Sequence, residues 1–211
     1  MSPLFYMKYI SDIPIKNAAP HIFTRPFLSV EPSTPMHQIA TFLAIGPQIY
    51  VDGLIVKSEN DKGQRIRPIG RIGCKQIISN LLDLDYLDWL KMKASQIMDS
   101  TVEILEMDSM LSSALEIFDK TRFAFVPIVA DIDDGRDKEE KEINSGSLVM
   151  KATLGIRDIL PIIAKANITV PMKQISSMLV SIDGKTSITH ALRYMMYNGI
   201  RNIGINSETC N

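Results

Sequence analysis

The chain has 211 residues, of which 45% are hydrophobic and 22% are charged. This composition is typical of a folded globular protein and excludes an intrinsically disordered one. Its 23 basic and 24 acidic residues give a formal net charge of -1, so no overall charge attracts the chain to nucleic acid, which is not an expected partner.

The cysteines and the apolar stretches indicate the cellular compartment and whether the chain enters a membrane. Two cysteines, Cys74 and Cys210, lie far apart in the chain, which favours a reducing cytoplasm over a secreted disulfide scaffold. No histidine lies near a cysteine at a metal-ligand spacing, so no metal site is expected. The longest stretch without a charged residue, Pro32–Val51, is broken by prolines and polar residues. We therefore expect no membrane insertion.

Three segments of the chain resemble one another. Each has a short apolar strand, a polar corner, a hydroxyl residue and an amphipathic helix. They are Phe27–Leu43, Val102–Phe118 and Met178–Met195. The hydroxyl residues Thr34, Ser109 and Thr186 recur about 75 residues apart, and each is placed to cap the helix that follows. Pro35 fits the first position of its helix.

Further elements are predicted in chain order behind these helices. The first repeat continues with a strand over Gln48–Val51 and Leu54–Val56, a strand at Arg67–Ile72 and a helix at Cys74–Leu82. The second continues with strands at Phe123–Val129 and Leu148–Leu154 and a helix at Ile156–Ile163. The third has a helix over Thr186–Asn198 and a strand at Ile200–Ile205. No second half follows it.

The unfinished third repeat predicts an interface. Its helix carries an apolar stripe of Ile188, Ala191, Leu192 and Met195. Because a strand and a helix are missing, we expect this surface to be covered by the second repeat or by a second subunit. The sequence therefore predicts at least a homodimer.

Four regions are predicted from this pattern. Residues 1–24 form an N-terminal arm, 25–90 the first repeat, 91–166 the second repeat and 167–211 the partial third repeat. A charge-dense insertion at 131–146 interrupts the second repeat. Its acidic residues do not have the spacing of a calcium-binding loop, so we expect a solvated hairpin loop.

The order strand, helix, strand, strand, helix resembles the CBS domain, named for cystathionine beta-synthase. The likeness is carried by the strand Val126–Val129 with its proline and by the strand-to-helix corner, which in the family reads Gly, two residues, Thr or Ser, two residues, Asp. The residues at the corner are Gly70, Gly73 and Gln76 in the first repeat and Ala152, Gly155 and Asp158 in the second. The resemblance implies an α+β fold of tandem repeats, each a small three-stranded sheet with two helices, paired sheet to sheet as a Bateman module.

The resemblance also implies a ligand site. Gly73 and Gly155 permit close backbone approach, and the helix that starts there suits a phosphate. In the family the residue matching Asp158 binds the ribose of adenosyl nucleotides. The implied nucleotide-binding residues are Asp158, Gly155, Arg157, Thr101, Val102, Gly73, Gln76 and Arg201. Both corners lack the Thr or Ser, and Gln76 replaces an Asp, so the half-site of the first repeat is expected to be weak or empty.

Each of these residues also has a structural interpretation. Asp158 can simply complement the dipole at its helix start, the two glycines can serve strand–helix packing, and Thr101 and Val102 can mark an ordinary strand entry. Lysines and arginines near the corners can be solvated surface.

Three classes of function follow from these interpretations. The leading hypothesis is a non-catalytic regulatory module that binds AMP, ADP, ATP or S-adenosylmethionine between repeats and controls an unidentified protein. The alternative is a ligand-free protein that serves only dimerisation or assembly. Catalytic residues are not predicted, because no histidine is placed by sequence to serve Cys74. The chain is therefore not expected to be an enzyme.

Overall fold

The computed structural model describes residues 12–45, 53–58, 66–83, 86–121, 123–131, 148–165, 180–200 and 202–206. The strand predicted at 48–51, residues 132–146 of the charged insertion and Arg201 lie outside the described residues. Helix α1 (Ile15–Ala18) and a 3-10 helix (Pro20–Phe23) come first.

Two repeats then follow with the same order of elements. The first has β1 (Ser29–Val30), α2 (Met36–Ile45), β2 (Leu54–Lys57), β3 (Pro68–Ile72) and α3 (Cys74–Asp83). Two short helices link the repeats, α4 (Tyr86–Lys91) and α5 (Ala94–Ile97). The second has β4 (Leu105–Glu106), α6 (Leu111–Thr121), β5 (Phe125–Asp131), β6 (Leu148–Gly155) and α7 (Ile156–Lys165). Last come β7 (Ser181–Asp183), α8 (Ile188–Asn198) and β8 (Gly204–Asn206).

The two complete repeats have sheets of the same topology. In the first, β1 is parallel to β2 and β2 is antiparallel to β3, with Ser29 opposite Ile55. In the second, β4, β5 and β6 repeat this arrangement, with Leu105 opposite Ile128. Strands β7 and β8 form a parallel pair. The predicted class of small three-stranded sheets with helices is confirmed for the first two repeats.

Alternation along the central strands explains why the two sheets pack together. Successive side chains of a strand point to opposite faces of its sheet. Leu54 and Val56 of β2 join the core of the first repeat, whereas Ile55 between them packs with Phe125 and Val129 of β5. All of these side chains are buried. One apolar layer therefore lies between the two sheets.

The segment that precedes each repeat packs on the other repeat. The amide of Ile15 in α1 donates to the carbonyl of Ser109, and the amide of Ala94 in α5 donates to the carbonyl of Thr34, each at 2.9 Å. Ile15 is fully buried with the core of the second repeat, and Ala94 with the core of the first. The described part of the predicted N-terminal arm is therefore built into the second repeat.

The helix caps predicted at Thr34, Ser109 and Thr186 were wrong. Hydroxyl oxygens of the first two accept from backbone amides three residues earlier, those of Glu31 at 3.1 Å and Glu106 at 3.0 Å. Each oxygen closes a tight turn ahead of the helix.

A register difference explains this error. Pro35, which follows Thr34, is extended and forms a β-bridge with Lys93. Met110, which follows Ser109, forms one with Pro14. Each helix therefore starts one residue later than predicted. In the third repeat the cap is Ser187, whose hydroxyl accepts from the amide of His190 at 3.2 Å.

The third repeat contacts the first. Helix α8 packs against α3, and Arg193 of α8 donates to the carbonyl of Leu82 at 2.7 Å. A basic group suits this place because the last carbonyls of a helix lack internal partners. The predicted apolar stripe is only partly covered: Ala191, Leu192 and Met195 are half-buried, whereas Ile188 is 80% exposed. Among the described residues the third repeat therefore packs on α3 of the first repeat, and the expected docking on the second repeat or on a second subunit stays a prediction.

The position of Ile15 generates a first prediction. Ile15→Ala should lower the free energy of unfolding by about 2–5 kcal/mol, because it opens a cavity in the second repeat's core. The matched control Ile188→Ala removes the same atoms from an exposed side chain and should change it by less than about 0.5 kcal/mol. Denaturant unfolding measures both. Equally small effects would show that α1 does not belong to the core.

Candidate ligand site at the strand-to-helix corners

Equivalent hydrogen bonds close the two strand-to-helix corners. In the second repeat, the amide of Gly155 at the end of β6 donates to Oδ2 of Asp158 at 2.7 Å. In the first, the amide of Gly73 donates to Oε1 of Gln76 at 3.0 Å. Both acceptors lie three residues along, in the first turn of a helix, where backbone amides lack internal partners. The two corners therefore share the same hydrogen bond from a backbone amide to a side-chain oxygen.

Asp158 lies in the first turn of α7 and is buried, with only 5% of its surface exposed. Arg25 donates from Nη1 to Oδ1 and from Nη2 to Oδ2, both at 2.8 Å. This is the bidentate geometry in which guanidinium and carboxylate bind most strongly. Nε2 of His21 lies 3.2 Å from Oδ1, and Arg25 also donates to the carbonyl of Thr153 at 3.2 Å.

These contacts set the protonation of Asp158. Burial alone would raise the pKa of this carboxyl. Hydrogen bonds from Arg25 and the Gly155 amide, the charge of Arg25 and the hydrogen bond with His21 act in the other direction. Their combined effect holds the pKa of Asp158 below its ordinary value, so the carboxylate is ionised at neutral pH.

The corner of the first repeat contains a different arrangement. Arg71 of β3 has a side chain that is only 1% exposed, and its guanidinium lies 3.7 Å from the ring centroid of Phe123. Its Nε and Nη2 lie 3.4 Å from Oδ2 of Asp99, while Nη1 has no acceptor among the described residues. A Cβ at Gly73 would lie 4.0 Å from the ring of Phe123. The ring therefore borders this corner.

Burial lowers the pKa of Arg71, although Asp99 and Glu103 oppose the shift. Burial also acts to raise the pKa of Asp99, but hydrogen bonds from Thr101 and the charge and hydrogen bond of Arg71 outweigh it and lower this pKa. An arginine remains charged under all ordinary conditions, so this corner has its own ion pair.

Thr101 lies beside the first repeat's corner. Its amide and hydroxyl donate to Asp99, which pairs with Arg71 through both backbone and side chain. Val102 is half-buried but is not in a strand, since β4 begins only at Leu105. Arg157 is exposed in the first turn of α7.

His21 and Arg25 were missed by the sequence reasoning. The repeat contains a signal for them, because the segment before the first repeat is equivalent to Asp99–Thr101 before the second. Asp99 pairs with β3 at Arg71, and Arg25 lies at the matching place beside β6, where it donates to Thr153. If the repeat pattern is extended to the residues before the first repeat, it predicts that this segment lies beside Asp158.

Known structures share the fold of this chain. A protein of Methanocaldococcus jannaschii, described as a candidate archaeal homologue of g-AMPK, is 15% identical with a TM-score of 0.65, and the match covers 93% of this chain and 66% of that one. A CBS-domain protein of Agrobacterium tumefaciens is also 15% identical with a TM-score of 0.50, over 70% of this chain and 96% of that one. The chain has the CBS-domain fold. No protein-family model and no curated protein matches its sequence.

Within the part of the chain that the structure describes, no helix has the length and apolarity needed to cross a bilayer. No three His, Cys, Asp or Glu side chains within the same ranges are grouped so that they could hold a metal ion.

The lowered pKa of Asp158 generates a second prediction. A carboxyl with a depressed folded pKa stabilises the fold above its unfolded pKa, about 3.9, and this contribution is lost as the pH falls through the folded value. Asp158→Asn should therefore be destabilising at pH 7, and the difference from the wild type should shrink below about pH 4.

Thermal unfolding between pH 7 and pH 3 measures this difference. The matched control is Asp108→Asn, which removes only an exposed ion pair with Lys16 and should change stability by less than about 1 kcal/mol. A stability difference for Asp158→Asn that is constant over the whole pH range would contradict the assignment.

Proposed function

We propose that the chain is a non-catalytic regulatory module that binds an adenosyl nucleotide, such as AMP, ADP, ATP or S-adenosylmethionine, at the corner of the second repeat. The supporting observation is the Gly155–Asp158 corner, which presents an ionised carboxylate at the start of a helix within a CBS-domain fold. The description of the similar M. jannaschii protein as a candidate homologue of g-AMPK is in keeping with a regulatory role.

Each part of this corner suits one part of a nucleotide. The carboxylate of Asp158 has two oxygens that can accept hydrogen bonds from the two hydroxyls of a ribose. Gly155 lets a ligand approach the backbone closely, and the first amides of α7 favour an anion such as phosphate. Arg157, exposed in that turn, is proposed to add a positive charge.

The first repeat's corner is the weaker half of this proposal. The amide oxygen of Gln76 is neutral and already accepts from Gly73, and Phe123 borders the same corner. Gly73, Gln76, Thr101 and Val102 are retained as its proposed contacts. Arg201 is proposed to lie near a nucleotide pocket, and it belongs to a segment outside the described residues.

The proposal also includes a cellular location and protein partners. Cysteine usage supports a cytoplasmic location. A regulatory module also needs a protein to regulate, which is here an unidentified partner. Exposed Ile188, Tyr197 and Ile205 in the third repeat supply apolar surface for a homodimer contact.

A ligand-free assembly protein is the second candidate. One observation favours it: both corners are occupied by side chains of the chain itself, Arg25 in the second repeat and the Arg71–Phe123 stack in the first. An ion pair that satisfies Asp158 removes the need for a ligand to stabilise the fold.

Calorimetric titration with AMP, ADP, ATP and S-adenosylmethionine tests the proposal. At least one should bind, and at 100 times its Kd it should stabilise the protein by about 2.7 kcal/mol. Asp158→Asn should weaken binding at least tenfold, because the substitution removes the charge and one acceptor. Gln76→Ala changes the equivalent position of the weaker first corner and should weaken binding less than twofold.

Two outcomes count against the nucleotide site of the second repeat. Equal losses in the two variants, or full affinity in Asp158→Asn, would show that the carboxylate does not hold the ribose. Absence of binding for all four compounds, together with a dimer mass by light scattering, would favour the assembly role.

A further inference from the structure

We infer that Arg25 is a built-in competitor of the ligand: its guanidinium occupies the carboxylate of Asp158, and a nucleotide binds at this corner only when that side chain moves away. This inference rests on the proposed function and concerns the regulation of the same site. It predicts that the chain reduces its own affinity for the ligand.

The hydrogen-bond acceptor positions of Asp158 are all in use. An ionised carboxylate has about four acceptor positions on its two oxygens. Arg25 uses one position on each oxygen at 2.8 Å, Gly155 uses a second on Oδ2 at 2.7 Å, and His21 lies 3.2 Å from Oδ1. No position remains for the two hydroxyls of a ribose. A ligand must therefore displace a donor.

Arg25 is the donor that can be displaced. The Gly155 amide is fixed because its residue ends β6 and is buried. The side chain of Arg25 is 18% exposed and that of His21 is 49% exposed. Both lie at the edge of the site, so a rotamer change can carry the guanidinium into solvent without breaking a strand or a helix.

The backbone that carries Arg25 stays in place during this change. Ile15, Ala19 and Ile22 are buried in the core of the second repeat. The amides of Ile15 and Lys16 donate to the carbonyls of Ser109 and Met107 at 2.9 and 3.0 Å. The movement is therefore confined to the side chain of Arg25, and a ligand opens the site without unfolding it.

The corner of the first repeat provides a contrast. Its own cation, Arg71, has a side chain that is only 1% exposed and is stacked on Phe123. Moving this guanidinium would require repacking of the layer around the ring. Of the two corners, as far as the structure describes them, the second therefore has the competing group that can leave.

Competition of this kind has a defined effect on affinity. The apparent Kd equals the intrinsic Kd divided by the fraction of molecules in which the site is open. Removing the competing guanidinium raises that fraction and tightens binding. If Arg25 instead held a phosphate of the ligand, its removal would weaken binding, so the sign of the change separates the two roles.

Titration of three Arg25 variants with AMP, ADP, ATP and S-adenosylmethionine tests the inference. Arg25→Met keeps the length of the side chain without its donors and should bind at least tenfold more tightly than the wild type. Arg25→Lys keeps the charge but cannot donate two parallel hydrogen bonds, and should be intermediate. Arg25→Ala provides a second neutral variant should Arg25→Met not fold.

Lys16→Ala is the matched control, since Lys16 lies on the same arm in an exposed ion pair with Asp108; its affinity should stay within twofold of the wild type. Unchanged or weaker binding in Arg25→Met would overturn the inference and leave the proposed function standing. Absence of binding in the wild type and in every Arg25 variant would overturn the proposed function, and the inference with it.

Discussion

Backbone pairing holds the segment that precedes each repeat against the other repeat. The rest of the structure depends on this constraint. Pro14 bridges Met110, and Lys93 bridges Pro35. This crossing closes the core of each repeat with residues that precede the other one along the chain. The same crossing places Arg25 beside Asp158 and Asp99 beside Arg71, and so determines which side chains surround each corner.

Opposite charges are buried at both corners, and their different surroundings explain why the two repeats are not equivalent. Removing a charge from water is costly unless a partner and hydrogen bonds compensate for the cost. Asp158 is compensated by four donors. Arg71 is compensated by Asp99 and by an aromatic ring, and one of its nitrogens lacks an acceptor among the described residues. The first corner is sealed by packing, whereas the second is closed by a side chain at its edge.

Local sequence patterns were sufficient to predict much of the fold. The strand predicted at Leu148–Leu154 and the helix after it differ from β6 and α7 by only a few residues at their ends. The pairing of Gly155 with Asp158 was also predictable, because the two residues are three apart and the corner resembles the CBS pattern. Thr34 and Ser109 do occupy equivalent positions in the two repeats, but each closes a turn and does not cap a helix as predicted.

Contacts between distant parts of the chain were not predictable in this way. Asp158 is paired with Arg25, which lies 133 residues earlier, and the repeat pattern connects the two positions only when it is extended into the segment before the first repeat. The same reason accounts for the helix starts, since Pro35 and Met110 are held in extended bridges by residues far from them in sequence. Thr101 likewise precedes the first strand of the second repeat, but its hydrogen bonds to Asp99 hold it beside Arg71 of the first repeat.

A crystal structure of the chain with bound ATP would test the central claim most directly. The account predicts that the ribose hydroxyls lie within hydrogen-bonding distance of the two oxygens of Asp158, that the Gly155 amide keeps its bond, and that the guanidinium of Arg25 has left the carboxylate. A nucleotide bound elsewhere, or bound at this corner while Arg25 still donates both of its hydrogen bonds to Asp158, would contradict the account.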